Sequence, residues 1–203
     1  MSSGRAGRNR MGDHWVVNTD YWAVLGESER DQWRYVPLRT IGPLDFGMSR
    51  EDTVAIMAGR GFTAEQHDLG GWHSTGRTQW RVEFSKPQPA RSRPAVKCYF
   101  VEGAGLTCVL VDGRLGPQVT HEGIRLIGRV PSELLEDMES YAVRHDVGLR
   151  SSPGGDLFVD GFEIELGAQR AGDAVVTWAL FCNPGEIAGT SWDIAPAEVW
   201  RHW

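Results

Sequence analysis

Ile41-Gly42-Pro43-Leu44-Asp45-Phe46-Gly47-Met48-Ser49-Arg50-Glu51-Asp52-Thr53-Val54-Ala55-Ile56-Met57-Ala58-Gly59 reads as a short apolar segment, a glycine turn and a helix that starts on Ser49. A serine hydroxyl at that position accepts a hydrogen bond from an otherwise orphaned first-turn N–H, and Asp52, three residues on, is placed to reach back as in a capping box. Glu51 and Asp52 also set negative charge at the positive end of the helix dipole. Val54, Met57 and Ala58 share the inward face, the glycines at 59 and 61 end the helix, and Phe62 packs the outgoing chain onto the core. Nothing in this stretch performs chemistry; it is a structural signal.

A weaker echo follows at Gly123-Ile124-Arg125-Leu126-Ile127-Gly128-Arg129-Val130-Pro131-Ser132. It leads into a helix over 131–145, with Pro131 in the first turn and Leu134, Leu135, Met138, Tyr141 and Ala142 on one stripe. Acids early and Arg144-His145 late match its dipole, and Gly148 is the expected cap. Strands are predicted at 78–84, where apolar and polar residues alternate, at 96–101, 106–111 and 115–119, and at 156–159, 162–166 and 174–181. Asp112-Gly113 and Asp160-Gly161 read as tight hairpin turns. The order of apolar segment, glycine, helix, strands and Val-Asp-Gly hairpin thus occurs twice. The expected fold class is α+β: two similar helix-plus-antiparallel-sheet units that can share one continuous sheet, the alternative being a single α+β domain with coincident turn chemistry. Residues 1–13 are expected as a disordered arm, 14–122 as the first unit and 123–203 as the second, with a C-terminal tail ending in a short helix at 196–203.

Composition sets outer limits. The chain has 203 residues, 41% hydrophobic and 24% charged, which are globular proportions, and its 25 glycines and 10 prolines imply many turns. A net charge of −6 disfavours nucleic acid and anionic membranes and suits a partner with a basic surface. Cys98, Cys108 and Cys182 are too few for a disulfide framework and are expected as reduced, mostly buried thiols. With no apolar leader and no long apolar run, the expected compartment is the cytoplasm.

Catalytic signatures are sparse. There is no Gly-x-Ser-x-Gly elbow, no phosphate-cradling Gly-x-x-x-x-Gly-Lys and no strand-borne Gly-x-Gly-x-x-Gly. His67, Asp68 and His73 lie in a stretch read as a loop, and their five-residue spacing does not suit a helical metal pair. His121 beside Glu122 has the makings of an acid/base pair, or of an exposed turn. Neither a metal nor a cofactor is expected. Glu163 and Glu165, two apart on one predicted strand, share a face and, with Glu136 and its acidic neighbours, would form an acidic surface. Nine tryptophans are the composition's oddest fact. Trp72 and Trp192 fall in glycine-rich segments and are candidate interface anchors or sugar platforms.

The Phe46-Gly47-Met48-Ser49-Arg50 motif, followed by a helix, resembles the opening of each repeat in the β-lactamase inhibitor protein family. The resemblance covers about fifteen residues. It implies a duplicated helix-and-sheet scaffold whose concave sheet face grips a partner enzyme through aromatic and acidic residues. The second half departs from the motif, and neither paired cysteines nor an export signal accompanies it. The reading that results is a non-enzymatic binding protein, foremost an immunity or inhibitor protein that neutralises a bacterial toxin, with Trp72, Glu136, Glu163, Glu165 and Trp192 as partner-binding residues. The alternatives are a small hydrolase using His67, His73 or His121 with a carboxylate, and a carbohydrate-binding module.

Overall fold

The computed structural model describes residues 22–71, 77–87, 93–152, 155–160 and 162–183. The expected arm at 1–13 and the expected tail helix at 196–203 lie outside them. A 3-10 turn at Glu27–Glu29 leads into β1 (Gln32–Val36), β2 (Thr40–Ile41) and β3 (Leu44–Asp45). Helix α1 (Arg50–Ala58) is followed by β4 (Thr63–Gly71), β5 (Thr78–Ser85), β6 (Val96–Val101) and β7 (Gly105–Val111). The chain continues through β8 (Gln118–His121) and β9 (Ile124–Arg125) to helix α2 (Pro131–His145). It finishes with β10 (Leu149–Ser151), β11 (Leu157–Val159), β12 (Ile164–Ala171) and β13 (Ala174–Cys182).

These strands form two sheets, ordered β3-β2-β1-β8-β9 and β10-β11-β12-β13-β7-β6-β5-β4. The α+β expectation is corrected by this arrangement. The described residues are mostly β, 45% strand and 19% helical, with two α-helices among them set against sheets of five and eight strands, and not a helix-plus-sheet α+β repeat. One cause is local: the short segments at 32–36, 40–41 and 44–45, which carry little periodicity, are recruited as strands by pairing. β1 pairs antiparallel with β2 and parallel with β8, a partner more than eighty residues away.

The second cause is Asp112-Gly113, which does not make the expected hairpin. Its turn is held from outside. Asp112 Oδ1 accepts from the N–H groups of Arg114 and Leu115, Gly116 N–H donates to Asp112 O, and Gln169 Nε2 donates to Asp112 Oδ2. The buried Arg30 guanidinium donates to the carbonyls of Gly116, Gly113 and Arg114. The chain is thereby turned away from β6 and β7 and delivered to the five-stranded sheet as β8.

Helix α1 has the expected bounds and cap. Ser49 Oγ accepts from Asp52 N–H at 3.0 Å, and its hydroxyl donates to the Asp52 carboxylate at 2.7 Å. Its buried residues are Thr53 and Met57, with Thr53 Oγ1 bonded to Ser49 O, while Ala58 faces solvent. The preceding glycine turn is clamped to the start of β7: Gly47 N–H donates to Leu106 O, and Leu106 N–H to Met48 O. The approach is so close that a Cβ on Gly105, at φ +74, would sit 2.3 Å from Gly47 O. In α2 the inward stripe is Leu134, Met138 and Tyr141, and Asp146 in the left-handed conformation ends the helix two residues before the expected cap. Gly148 instead lies against Asp160, whose carboxylate would have to turn aside from a Cβ there, 2.2 Å from Oδ2.

One core joins both sheets and both helices. Strand register sorts the eight-stranded sheet into rows, because directly paired residues point to the same side. Val82, Cys98, Val109, Phe181, Ile164 and Val159 form one inward row across six strands, and all are buried. Phe84, Val96, Val111, Ala179 and Leu166 form the next. The rows between them face outward, and they carry the candidate site.

Candidate docking face

Two outward rows cross the sheet. One runs Glu65, Glu83, Lys97, Leu110, Leu180, Glu165, Phe158 and Arg150, across all eight strands. The other runs His67, Arg81, Tyr99, Cys108 and Cys182. At their centre Cys108, Leu180 and Cys182 form a second apolar cluster, separate from the main core, with half-buried Tyr99, Leu110 and Trp178 packed around it. Among the described residues, this cluster consists of sheet side chains alone.

Charge lies at both ends. On the β4–β6 side Glu83 is ion-paired with Arg81, whose Nε is 3.0 Å away, and with Lys97, whose Nζ is 3.3 Å away, and His67 Nε2 stands 3.7 Å from Glu65 and 3.9 Å from Glu83. Such half-exposed pairs add little stability and fix side-chain directions instead. Burial pushes the neighbouring Tyr99 phenol up to about 12, so it remains a neutral hydroxyl at any physiological pH. On the other side Phe158, Glu163, Glu165, Leu180 and Cys182 line a small recess of about 50 Å³, and Arg150 Nε bonds Asp160 Oδ1 at 2.7 Å across its rim.

The sequence-derived candidates are distributed unevenly over this geometry. Glu165 lies in β12 on the outward face. Glu163 lies not in the strand but in the turn before it, at φ +50, with its carbonyl accepting from Cys182 N–H. Both residues line the recess, Glu163 from that turn and Glu165 from the strand. Glu136 is exposed on α2, whose buried stripe enters the main core on the inward side, so the sheet separates it from Glu165. Trp72, Trp192 and His73 lie outside the described residues.

The histidines diverge from expectation. His67 is in β4, in a stretch read as a loop. His121 is 3% exposed, so the exposed-turn reading fails. Its ring lies 5.1 Å from Phe162, 5.5 Å from Tyr141 and 5.7 Å from Tyr35, and Nε2 is 3.3 Å from the Tyr141 hydroxyl. Burial holds its pKa below the ordinary value, opposed by the Tyr35 backbone and Glu122. Glu122 turns instead toward His145, at 3.5 Å. No group of three or more metal-ligating side chains occurs among the described residues.

The expectation of reduced thiols is also corrected. Cys108 and Cys182 form a disulfide across the antiparallel pair β7–β13, with Cα atoms 4.3 Å apart. Cys98, in β6, points to the opposite face from Cys108 and is a free, buried thiol. The partner of Cys108 lies seventy-four residues away. No helix among the described residues is long and apolar enough to cross a membrane.

No protein family, no characterised protein and no solved structure matches this chain.

Proposed function

We propose that this chain is a non-enzymatic binding protein that uses the outward face of its eight-stranded sheet to hold another protein, in the manner of an immunity or inhibitor protein that neutralises a bacterial toxin in the cytoplasm. The observation that carries the reading is the apolar cluster of Tyr99, Leu110, Leu180 and Trp178 around Cys108–Cys182, edged by charged side chains. Half-buried Tyr99, Leu110 and Trp178 lie over buried Cys108, Leu180 and Cys182 on a rigid sheet inside a polar rim, the composition of a binding hot spot. The net charge of −6 favours a partner with a basic surface by long-range attraction. The resemblance of residues 46–50 to the β-lactamase inhibitor protein family, whose members grip enzymes with a sheet face, points the same way. The hydrolase alternative draws no support from His121, which is buried among aromatic rings.

The test is a photo-crosslinking amino acid placed at Tyr99 or Leu110 of the disulfide-bonded protein, together with co-purification against the product of the neighbouring gene. The expected result is one covalent adduct with that product, a salt-sensitive complex, and protection from its toxicity. Leu110→Arg should weaken the complex by about 2 kcal/mol or more, as truncation at a hot spot does. A neighbouring product that is not toxic and neither crosslinks nor co-purifies would end the reading.

A further inference from the structure

The disulfide stands where the two groups of strands in the eight-stranded sheet join and where the proposed docking face is most apolar. β7–β13 is the seam through which strands β4 to β7 join strands β10 to β13, and it has only four directly paired positions, from Ala179–Val111 to Cys182–Cys108. By comparison, β12 and β13 are paired at eight positions. The bond closes the last position of the seam, and both sulfurs belong to the cluster that also holds Tyr99, Leu110, Leu180 and Trp178. In a reducing cytoplasm a disulfide of this kind cycles and serves as a sensor, whereas in an oxidising compartment it is a permanent staple.

We infer that Cys108–Cys182 is a redox switch of the docking face: oxidation locks the seam and forms the binding surface, and reduction loosens it. This inference rests on the docking reading above. The two sulfurs differ in access. Cys182 is 8% exposed and lines the recess with Glu163 and Glu165, whereas Cys108 is fully buried. The thiolate of a small cellular thiol therefore attacks Cys182 Sγ. The S–S bond breaks, its electron pair leaves on Cys108 Sγ, and that sulfur takes a proton from water. A second thiol then attacks the mixed disulfide, freeing the Cys182 thiol and leaving the small thiol as its own disulfide. Cys98 cannot intercept either step, since it is buried on the inward side of β6. Once the bond is gone, the two sulfurs relax from bonded to van der Waals separation. The neighbouring pair Leu110–Leu180 moves with them, and Tyr99 loses the flat surface it packs on.

The experiment compares the oxidised protein, the protein equilibrated with reduced and oxidised glutathione at cytosolic ratios, and Cys108→Ser/Cys182→Ser. Amide exchange of Val109, Leu110, Leu180 and Phe181 should quicken by about tenfold or more on reduction, while β4–β5 amides keep their rates, as expected for opening of one local unit. Mass spectrometry of the partly reduced sample should find glutathione on Cys182 and not on Cys108. Crosslinking from the Leu110 position should fall in parallel. Unchanged seam exchange after full reduction, a disulfide that stays closed at cytosolic glutathione ratios, or equal crosslinking in both states would overturn the switch. Absence of a crosslink in either state, with the seam still responding to reduction, would sink the docking reading instead.

Discussion

Replacing Arg30 by Met tests the interaction that decides the topology. Arg30 is 5% exposed, and its guanidinium reaches three backbone carbonyls: Nη1 to Gly116 O at 2.6 Å, and Nη2 to Gly113 O at 2.8 Å and Arg114 O at 3.2 Å. Burial lowers its pKa, opposed by Glu27, Asp112 and Glu29, and it remains a cation at every accessible pH. Methionine keeps the stem and removes all the donors. Arg114 O keeps the Leu25 N–H as a donor, whereas Gly116 O and Gly113 O lose the guanidinium, and each carbonyl left without a partner costs roughly 1–3 kcal/mol. Part of that, on the order of 1 kcal/mol, is recovered because a buried charge no longer needs desolvating. The net loss expected is about 2–4 kcal/mol. In urea, with a slope of roughly 2 kcal/mol per molar, the midpoint should fall by about 1–2 M. Amides of residues 113–116 should exchange faster before those of the β12–β13 pair do. Arg30→Lys, with one compact ammonium, should recover less than half of the loss. A loss below about 0.5 kcal/mol for Arg30→Met, on the scale of an ordinary surface substitution, would show that the turn holds itself and that the argument is wrong.

The buried His121 makes stability pH-dependent. Unfolded, it titrates near about 6.5, and folded it titrates lower, so between those values the unfolded chain binds more protons and stability falls with falling pH, by at most about 1.4 kcal/mol per pH unit. His121→Phe, placed among Tyr35, Tyr141 and Phe162, should flatten the curve of urea midpoint against pH; an unaltered slope would refute the assignment to His121. Gly105→Ala combines a left-handed φ of +74 with a Cβ 2.3 Å from Gly47 O and should cost about 2–4 kcal/mol. Gly123→Ala, at φ +86 with nothing within 4 Å, should cost only about 1 kcal/mol, and equal thermal shifts for the two would refute the close approach. Ser49→Ala should cost about 1 kcal/mol through loss of the cap, read as faster exchange in the first turn of α1.

Local chemistry was legible wherever a residue's partners are its neighbours in sequence. Ser49 and Asp52, the 131–145 stripe, and the alternation from 78 to 84 need no distant information, and the elements they predict are present. The loop reading around His67 failed because β4 is a sheet edge that carries polar and glycine residues, so no apolar alternation marks it, and pairing with β5 makes it a strand. The candidate site divides in the same way. Glu163 and Glu165 were visible as acids, but their common recess comes from a turn at positive φ and from Cys182 alongside. Tyr99 and Leu110 carry no mark in the sequence, since a half-buried residue in a strand looks alike on either face until register is known.

The Phe46–Ser49 stretch shows where the division lies. Its own residues determined a glycine turn, a capped helix and that helix's dipole, because those depend on hydrogen bonds spanning three or four residues. That Gly47 would lie against Gly105, that Asp112-Gly113 would be turned aside by Arg30, and that Cys108 would meet Cys182 were decided only in the folded chain. Such pairings depend on strand order and register. Those are chosen by the combined burial of one core and not by any segment of the sequence alone.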